Sequence, residues 1–363
     1  MKMKKIYLII ACFLPLSCET ALFPDPVGPE REIALQARIL TTDTLHTIHA
    51  AYSTHDALES ADDLTVACYV NGKCMAVTSD SEPETGSWGE EVAWRAYRLR
   101  ADIQPGDSVR IEATGREGSA IVRVKAPDAP PVPVVSVEKI PRKDGGGFDD
   151  PVYRFRIRVD DLSGQRNWYR MVTLGRQVVD EYRPEGHSLY YPDWTEEGGW
   201  FRVLDKTIDI QVDNTKDPFL NPDGRVADSR NPDYLANQYN MFSDELFEDG
   251  TVNLTLEARV AAFFKINNLA TYSICSYRRS IAALFDLQSL SREDYLNSRM
   301  LEMRYFSLTG IPYVDGLLSE DIVPPDNVEG GIGFVTVRSV SRAVCDFGER
   351  ELPDGNIFDW PLE

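Results

Sequence analysis

Hydrophobic and polar residues alternate in short runs between Glu30 and Lys125. Alternation with a period of two places apolar side chains on one face of a strand and polar side chains on the other. Seven such runs, separated by turn residues, predict an antiparallel β-sandwich of the immunoglobulin or fibronectin kind over residues 30–126. The runs are EIALQARIL, LHTIHAAYS, DLTVACYV, KCMAVTS, AWRAYRLRA, DSVRIEAT and SAIVRVKA.

A proline-rich segment, APDAPPVPVV, follows this region. Proline has no backbone N–H and fixes φ, so the segment fits an interdomain linker or an edge but not a central strand. We therefore predict a linker over residues 127–133 and a second, larger β-rich domain over residues 134–363. Its strand candidates include VYRFRIRVDD, NWYRMVTLGRQVV, TVNLTLEARVAAFF, RRSIAALFDLQSL and GIGFVTVRSVSRAV.

One segment of the second region has helical spacing instead. In SREDYLNSRMLEMRYFS, Leu296, Met300 and Met303 form an apolar stripe, and Ser291 can cap the first turn with Asp294 three residues later. A single packed helix is expected near residues 291–306. The predicted fold class is therefore all-β with minor α.

A hairpin is predicted around Asn71 and Gly72, which lie between Cys68 and Cys74. A two-residue loop keeps the apolar residues of both strands on one face and points the two cysteines apart. A three-residue loop would place the cysteines opposite each other and favour a disulfide. The two-residue register aligns the apolar faces better and favours free thiols.

The start of the chain is typical of a secretory leader. Lys2, Lys4 and Lys5 precede the apolar run of residues 6–16, which is far shorter than the ~20 residues of a membrane-spanning helix. Cys18 ends the run, as in bacterial lipoproteins, whose cysteine is lipidated after the leader is cleaved. We predict a signal peptide over residues 1–17 and a lipid-anchored, proline-spaced tether over residues 18–29.

A second cysteine competes for lipidation. Cys12 follows Ile9, Ile10 and Ala11, which match the usual lipidation motif well by residue type. Lipidation there would leave only about six apolar residues in the leader, which is short for a signal peptide. We favour Cys18, although Pro15 occupies a position where most such motifs carry leucine.

The charge balance excludes one class of partner. The chain has 58 acidic and 38 basic residues, a formal net charge of −20. Such a surface repels phosphate backbones, and no basic stripe interrupts it. Nucleic acid is not an expected partner.

Four phrases occur in an order that resembles a family of Bacteroidota lipoproteins known as domain of unknown function 4249. They are NWYRM after FRIRVDD, FSDELFEDGTVNLTLE, LSREDYL and PPDNVEGGIGFVTV. The likeness covers nearly the whole chain after the leader. The chain departs from many members at Val328 and Glu329, where those have an asparagine-centred phrase. The resemblance implies an envelope lipoprotein, often encoded near outer-membrane TonB-dependent receptors, and implies no catalytic residues.

No catalytic motif of familiar spacing occurs in the sequence. There is no GxSxG elbow, phosphate-binding loop or CxxC pair. His46, His49 and His55 lie close together, but strand alternation points His46 and His49 to opposite faces, so they are interpreted as surface strand and turn histidines rather than zinc ligands. His187 lies in a loop without a partner, and no cofactor is expected.

An acidic, turn-rich stretch between Asp213 and Asp233 has the composition of a calcium loop. An EF-hand register fails because Phe219 and Arg230 would occupy ligand positions. A looser calcium site remains a weaker alternative to a solvated loop. Its candidate ligands are Asp217, Asn221, Asp223 and Asp228.

Aromatic residues are concentrated in HSLYYPDWTEEGGWFRV, within a long predicted insertion. Large rigid rings displayed on a loop can stack on a sugar or anchor a protein partner, or they can simply pin the insertion to the fold. The candidate binding residues are Tyr190, Tyr191, Trp194 and Trp200.

Taken together, these features lead us to expect a non-enzymatic, lipid-anchored accessory protein of the outer membrane that acts by binding. The resemblance implies an import receptor, or the nutrient that the receptor takes up, as the partner.

One alternative is a hydrolase of envelope or dietary polymers, which needs two carboxylates converging on a cleft. The adjacent pairs Asp62-Asp63 and Asp160-Asp161 diverge along a strand and do not suit that role. A surface adhesin is the other alternative.

Overall fold

A computed structural model describes residues 31–54, 58–60, 62–79, 94–140, 152–162, 164–182, 200–210, 212–221, 240–260, 276–308 and 325–348. Within these ranges the chain is mostly β, with three sheets and one α-helix, α1 (Arg292–Leu308). The predicted all-β class with minor α is confirmed.

The largest sheet has ten strands. They are β1 (Glu32–Leu40), β2 (Leu45–Ser53), β3 (Leu58–Glu59), β6 (Val77–Ser79), β7 (Arg95–Arg100), β12 (Trp168–Tyr182), β13 (Trp200–Ile210), β15 (Met241–Ser243), β17 (Ser276–Leu290) and β19 (Ile332–Asp346). Their order is β13-β12-β17-β19-β1-β2-β7-β6, with β15 paired to β12 and β3 paired to β2. The long strands β1, β2, β12, β17 and β19 coincide with alternating runs of the sequence, whereas most of β13 falls in the predicted insertion.

Two smaller sheets complete the fold. One has the order β18-β9-β8-β4-β5, and its strands are β4 (Thr65–Val70), β5 (Lys73–Met75), β8 (Ser108–Gly115), β9 (Gly118–Lys125) and β18 (Val328–Glu329). The other has the order β10-β11-β16-β14, and its strands are β10 (Val134–Ile140), β11 (Val152–Asp160), β14 (Val212–Asp213) and β16 (Thr251–Arg259). A short 3₁₀ helix spans Asp244–Leu246.

Both smaller sheets cover the same face of the large sheet. The first core joins the five-stranded sheet to β1, β2 and β19, with Val335 and Val337 of β19 buried in it. The second core joins the four-stranded sheet to β12 and β17, and Cys345 of β19 packs against it. These three residues of β19 are an even number of positions apart, so their side chains point to one face.

The proline-rich residues 127–133 form a strap across β19 rather than a free linker. The Ser339 hydroxyl donates a hydrogen bond to the Pro127 carbonyl, and the Ser341 hydroxyl donates one to the Pro130 carbonyl, both at 2.5 Å. Both serines share the face of β19 that carries the cores. The strap therefore crosses β19 between Val337, which enters the first core, and Cys345, which packs against the second.

The predicted division of the chain differs from the structure at its C-terminal end. Residues 134–363 were assigned to the second domain, but Val328, Val335 and Val337 lie in the first core. Here β18 pairs with β9, and β19 runs parallel to β1. Pairing between distant segments leaves no local pattern, so the alternation in the sequence could not reveal which sheet β19 joins.

Two local predictions are confirmed. Asn71 and Gly72 form the two-residue turn, with φ of 50° and 79°, and Cys68 pairs with Met75 rather than with Cys74. Both thiols are free, and burial raises the pKa of Cys68 to about 12, so this thiol is held protonated. In α1, the Ser291 hydroxyl accepts the backbone N–H of Asp294 at 3.1 Å, which is the predicted N-cap.

Substitutions at two glycines can test how closely β19 approaches β1. Gly333 has φ of 122°, and a Cβ there would collide with the backbone oxygen of Leu35, whereas Gly118 has φ of 133° with open space around it. Gly118→Ala should cost about 1–3 kcal/mol of backbone strain. Gly333→Ala should cost about 2 kcal/mol more, because the two strands must separate. Urea unfolding of both variants measures the difference, and equal destabilisation would contradict the close approach.

Candidate functional site

The opposite face of the large sheet carries α1 and a cleft beside it. Helix α1 contacts β12 and β17. The cleft has a volume of about 490 Å³, within the range of small-molecule sites. The strand residues that line it and point away from the first core are Gln36, Arg38, Thr47, His49, Phe334, Thr336 and Arg338.

A buried ion pair forms the floor of the cleft. Arg338 and Asp294 are each 1% exposed, and the Arg338 Nε and Nη2 atoms donate to the two Asp294 oxygens at 2.7 Å. The Arg338 guanidinium also donates to Gln288 Oε1 and Ser298 Oγ, both at 3.1 Å. The Thr336 hydroxyl donates to Asp294 Oδ2 at 2.7 Å. Each nitrogen of the guanidinium group and both carboxylate oxygens therefore have partners.

This network determines both the position of α1 and the charge of the floor. A buried charge is tolerated when it is paired and when its remaining hydrogen-bonding capacity is used. Asp294 lies in the first turn of α1, so its bonds to Arg338 fasten that end of the helix to β19. The floor is electrically neutral as a whole, and its polar groups are held in fixed positions.

One wall of the cleft is aromatic. The ring of His49 meets Trp94 edge to face, with centroids 6.4 Å apart and an interplanar angle of 78°. Trp94 is only partly buried, and Leu45, at 54% exposed, also lines the cleft. The exposed residues Arg38 and Asp43 contribute opposite charges. The cleft therefore combines apolar surface with uncharged polar groups and balanced charges.

The turn before β19 is fixed by side-chain hydrogen bonds at the start of that strand. Asp326 accepts backbone N–H groups from Val328 at 2.7 Å and Gly333 at 3.1 Å. Asn327 exchanges two hydrogen bonds with the backbone of Val335, at 2.7 and 3.0 Å. Asn297 of α1 donates to the Pro325 carbonyl at 3.2 Å. Residues 325–331 thus form a fixed corner that ties α1 to the entry of β19.

Of the two predictions about His46 and His49, the opposite orientation is confirmed and the surface position of His46 is wrong. His46 and His49 do point to opposite faces, but His46 is not a surface residue: it is 3% exposed, with Nε2 3.0 Å from the Ala101 carbonyl oxygen. The prediction of a surface histidine was wrong here because His46 lies on the same face of β2 as Ile48 and Ala50, which enter the first core. His55 and His187 lie outside the described residues. Among the described residues no group of three or more potential ligands could hold a metal ion.

The calcium candidates are only partly described. Asp217 is fully buried, and its carboxylate accepts backbone N–H groups from Phe219 at 2.9 Å, from Leu220 at 2.5 Å and from Thr255. Burial raises the pKa of Asp217, and these hydrogen bonds oppose the rise. Asn221 is also buried, whereas Asp223 and Asp228 lie outside the described residues. Asp217 therefore fastens its loop to β16, with both oxygens already engaged.

The predicted aromatic site and lipidation site fall mostly beyond the described part of the chain. Cys18, Tyr190, Tyr191 and Trp194 lie outside the described residues, and so does the rival Cys12. Trp200 begins β13, where only the backbone is described. These assignments stay predictions.

Two carboxylates do come together, at a distance from the cleft. The side-chain amide of Asn167 donates to Asp161 at 3.4 Å and to Asp244 at 3.1 Å. Partial burial, and then the charge of Asp244, raise the pKa of Asp161. The buried Asn167 amide binds both carboxylates, so they act together as anchors for the turn before β12.

Several residues of the cleft were not singled out from the sequence. Asp294 was interpreted only as a first-turn residue of the helix, and Arg338, Phe334 and Trp94 were counted only as strand residues. The one local signal was an arginine in the middle of an apolar strand, in FVTVRSV. An arginine there requires a buried partner, but the partner's identity depends on the tertiary fold.

The described residues form a mostly β fold with one α-helix and a ligand-sized cleft on the ten-stranded sheet. No protein-family model matches the chain, and no curated protein matches it. In the part of the chain that the structure describes, no helix is both long and apolar enough to cross a membrane.

The ion pair at the floor should dominate the stability of this face. Arg338→Met leaves Asp294 buried without its partner and should lower the free energy of unfolding by about 3–5 kcal/mol. The control is Arg123→Met, which breaks the exposed 2.8 Å pair with Glu329 and should cost at most about 1 kcal/mol. Denaturant unfolding measures both. Adding Asp294→Leu to Arg338→Met should recover part of the loss, and equal costs for the two single variants would contradict the assignment.

Proposed function

We propose that this chain is a lipid-anchored protein of the bacterial outer membrane that acts by binding a ligand rather than by catalysis. The observation that carries the proposal is the cleft of about 490 Å³ on a neutral, fully hydrogen-bonded floor. Binding sites gain affinity when their polar groups are held in place before the ligand arrives. The Arg338–Asp294 network supplies that rigidity.

The hydrogen bonds of the charged groups in the floor favour a binding function rather than acid–base catalysis. A general acid or base must be able to exchange a proton with the substrate. Asp294 already accepts hydrogen bonds from Arg338 and Thr336. Its role is therefore to hold the cleft together.

The hydrolase alternative receives less support from the described residues. It requires two carboxylates that converge on a substrate cleft. The amide of Asn167 donates to both Asp161 and Asp244, so these two carboxylates already share a protein partner. Neither carboxylate lines the cleft. An adhesin is also less favoured, because a flat binding patch does not require a cleft of this size.

The proposed location follows from the sequence of the leader and tether. A basic, short apolar leader that ends at Cys18 fits lipidation at that thiol. The tether of residues 18–29, if extended, would reach roughly 35–40 Å, which holds the β domains clear of the membrane surface. The first strand begins at Glu32, close to the predicted start of the folded region.

The proposed partner rests on the resemblance to lipoproteins encoded near import receptors. We infer that the chain binds an outer-membrane TonB-dependent receptor, or a nutrient which that receptor takes up, or both. The aromatic residues Tyr190, Tyr191 and Trp194 are the candidates for the receptor contact, and the cleft is the candidate for the nutrient. The acidic surface is consistent with a protein or neutral nutrient partner rather than nucleic acid.

Lipidation is tested by labelling cells with radioactive palmitate. Cys18→Ala should abolish the label on this chain, because the acylated thiol is removed. Cys12→Ala is the matched control and should keep the label. Loss of the label in the Cys12 variant, with retention in the Cys18 variant, would transfer the anchor to Cys12.

The receptor partnership is tested by affinity purification of the tagged chain from detergent-solubilised membranes of the native host. A TonB-dependent receptor should copurify with the wild type. Replacing Tyr190, Tyr191 and Trp194 together by alanine should reduce its recovery, while Trp94→Ala in the cleft should not. Repeated purification without any receptor would overturn the partnership.

A further inference from the structure

We propose that the cleft beside α1 binds an uncharged carbohydrate chain, with Trp94 as the stacking surface and neighbouring amide and hydroxyl groups as hydrogen-bonding partners. The proposal rests on the binding function proposed above and names the class of ligand. It follows from the charge, polarity and shape of the cleft.

The charges of the cleft favour a neutral ligand. Arg338 is the buried cation of the floor, and each of its guanidinium nitrogens already has a partner in Asp294, Gln288 or Ser298. An anionic ligand would have to break that network to reach a buried positive charge. At the exposed positions, Arg38 and Asp43 have opposite signs, so they do not select a ligand of either charge.

The remaining polar groups suit a ligand that carries hydroxyls. Gln36, Thr47 and His49 line the cleft and can both donate and accept hydrogen bonds. Sugar hydroxyls also donate and accept, so they can satisfy such groups in either sense. A purely apolar ligand, such as an acyl chain, would displace water from this polar lining without offering hydrogen bonds in return, which is unfavourable.

The apolar groups suit the flat face of a sugar ring. Trp94 is partly exposed, and the contact with His49 restrains its orientation, at 6.4 Å and 78° between the rings. A rigid aromatic face offers a large contact area at little entropic cost. Leu45, which is 54% exposed, extends the apolar surface of the cleft. The volume of about 490 Å³ fits a short oligosaccharide rather than a folded protein, which needs a much larger interface.

The experiment is isothermal titration of the full chain, purified in a detergent without a sugar headgroup, against individual oligosaccharides. The neutral probes are maltohexaose, cellohexaose and xylohexaose, and hexagalacturonate is the charged comparison. At least one neutral probe should bind and hexagalacturonate should bind more weakly. Trp94→Ala should weaken the neutral binding about tenfold or more, and Trp94→Phe should weaken it less, because a smaller aromatic face remains.

The matched control is Tyr69→Ala, which removes an aromatic side chain from β4, whose sheet packs on the other face of the large sheet. This variant should bind like the wild type, and thermal unfolding verifies that each variant is folded. The proposal is overturned if no neutral probe binds, if hexagalacturonate binds more tightly, or if Trp94→Ala binds as well as the wild type. Palmitate labelling and receptor copurification are independent of these titrations, so failure of the carbohydrate assignment is distinguishable from failure of the anchored, receptor-associated function.

Discussion

The pairing of β19 with both β1 and β17 is the constraint on which the rest of the structure depends. β19, the last described strand, runs parallel to β1 and antiparallel to β17, so it links the two halves of the ten-stranded sheet. The close passage of Gly333 past the Leu35 carbonyl shows how tightly this pairing is built.

The alternation of side chains along β19 gives the strand two roles. Val335 and Val337 enter the first core, and Ser339 and Ser341 hold the proline strap on the same face. Thr336 and Arg338 point to the other face and form the floor of the cleft. A slip of one residue would exchange these sets and bury Arg338 in the apolar core, so the register is strongly specified. Folding and binding therefore depend on the same pairing.

The cleft also illustrates how a buried ion pair can serve binding without offering charge to a ligand. Its desolvation is offset by a complete set of hydrogen bonds, and what it provides is a fixed distance between α1 and the sheet. The corner at Asp326 and Asn327 holds the entry of β19 in the same way. The cleft walls are therefore set by the fold, and the uncharged groups and Trp94 are left to meet a ligand.

The sequence by itself determined the local features of this protein. Alternation predicted β1 and β2 with their observed bounds, Asn71-Gly72 predicted the hairpin and its free thiols, and Ser291 predicted the start of α1. These features depend on residues within a few positions of one another, so a short pattern contains them. Only the tertiary structure decided that β19 completes the first sandwich, that His46 is buried and that Asp294 meets Arg338. Those contacts join residues 44 to about 300 positions apart, and their energies depend on burial and on long-range register, which no local pattern records.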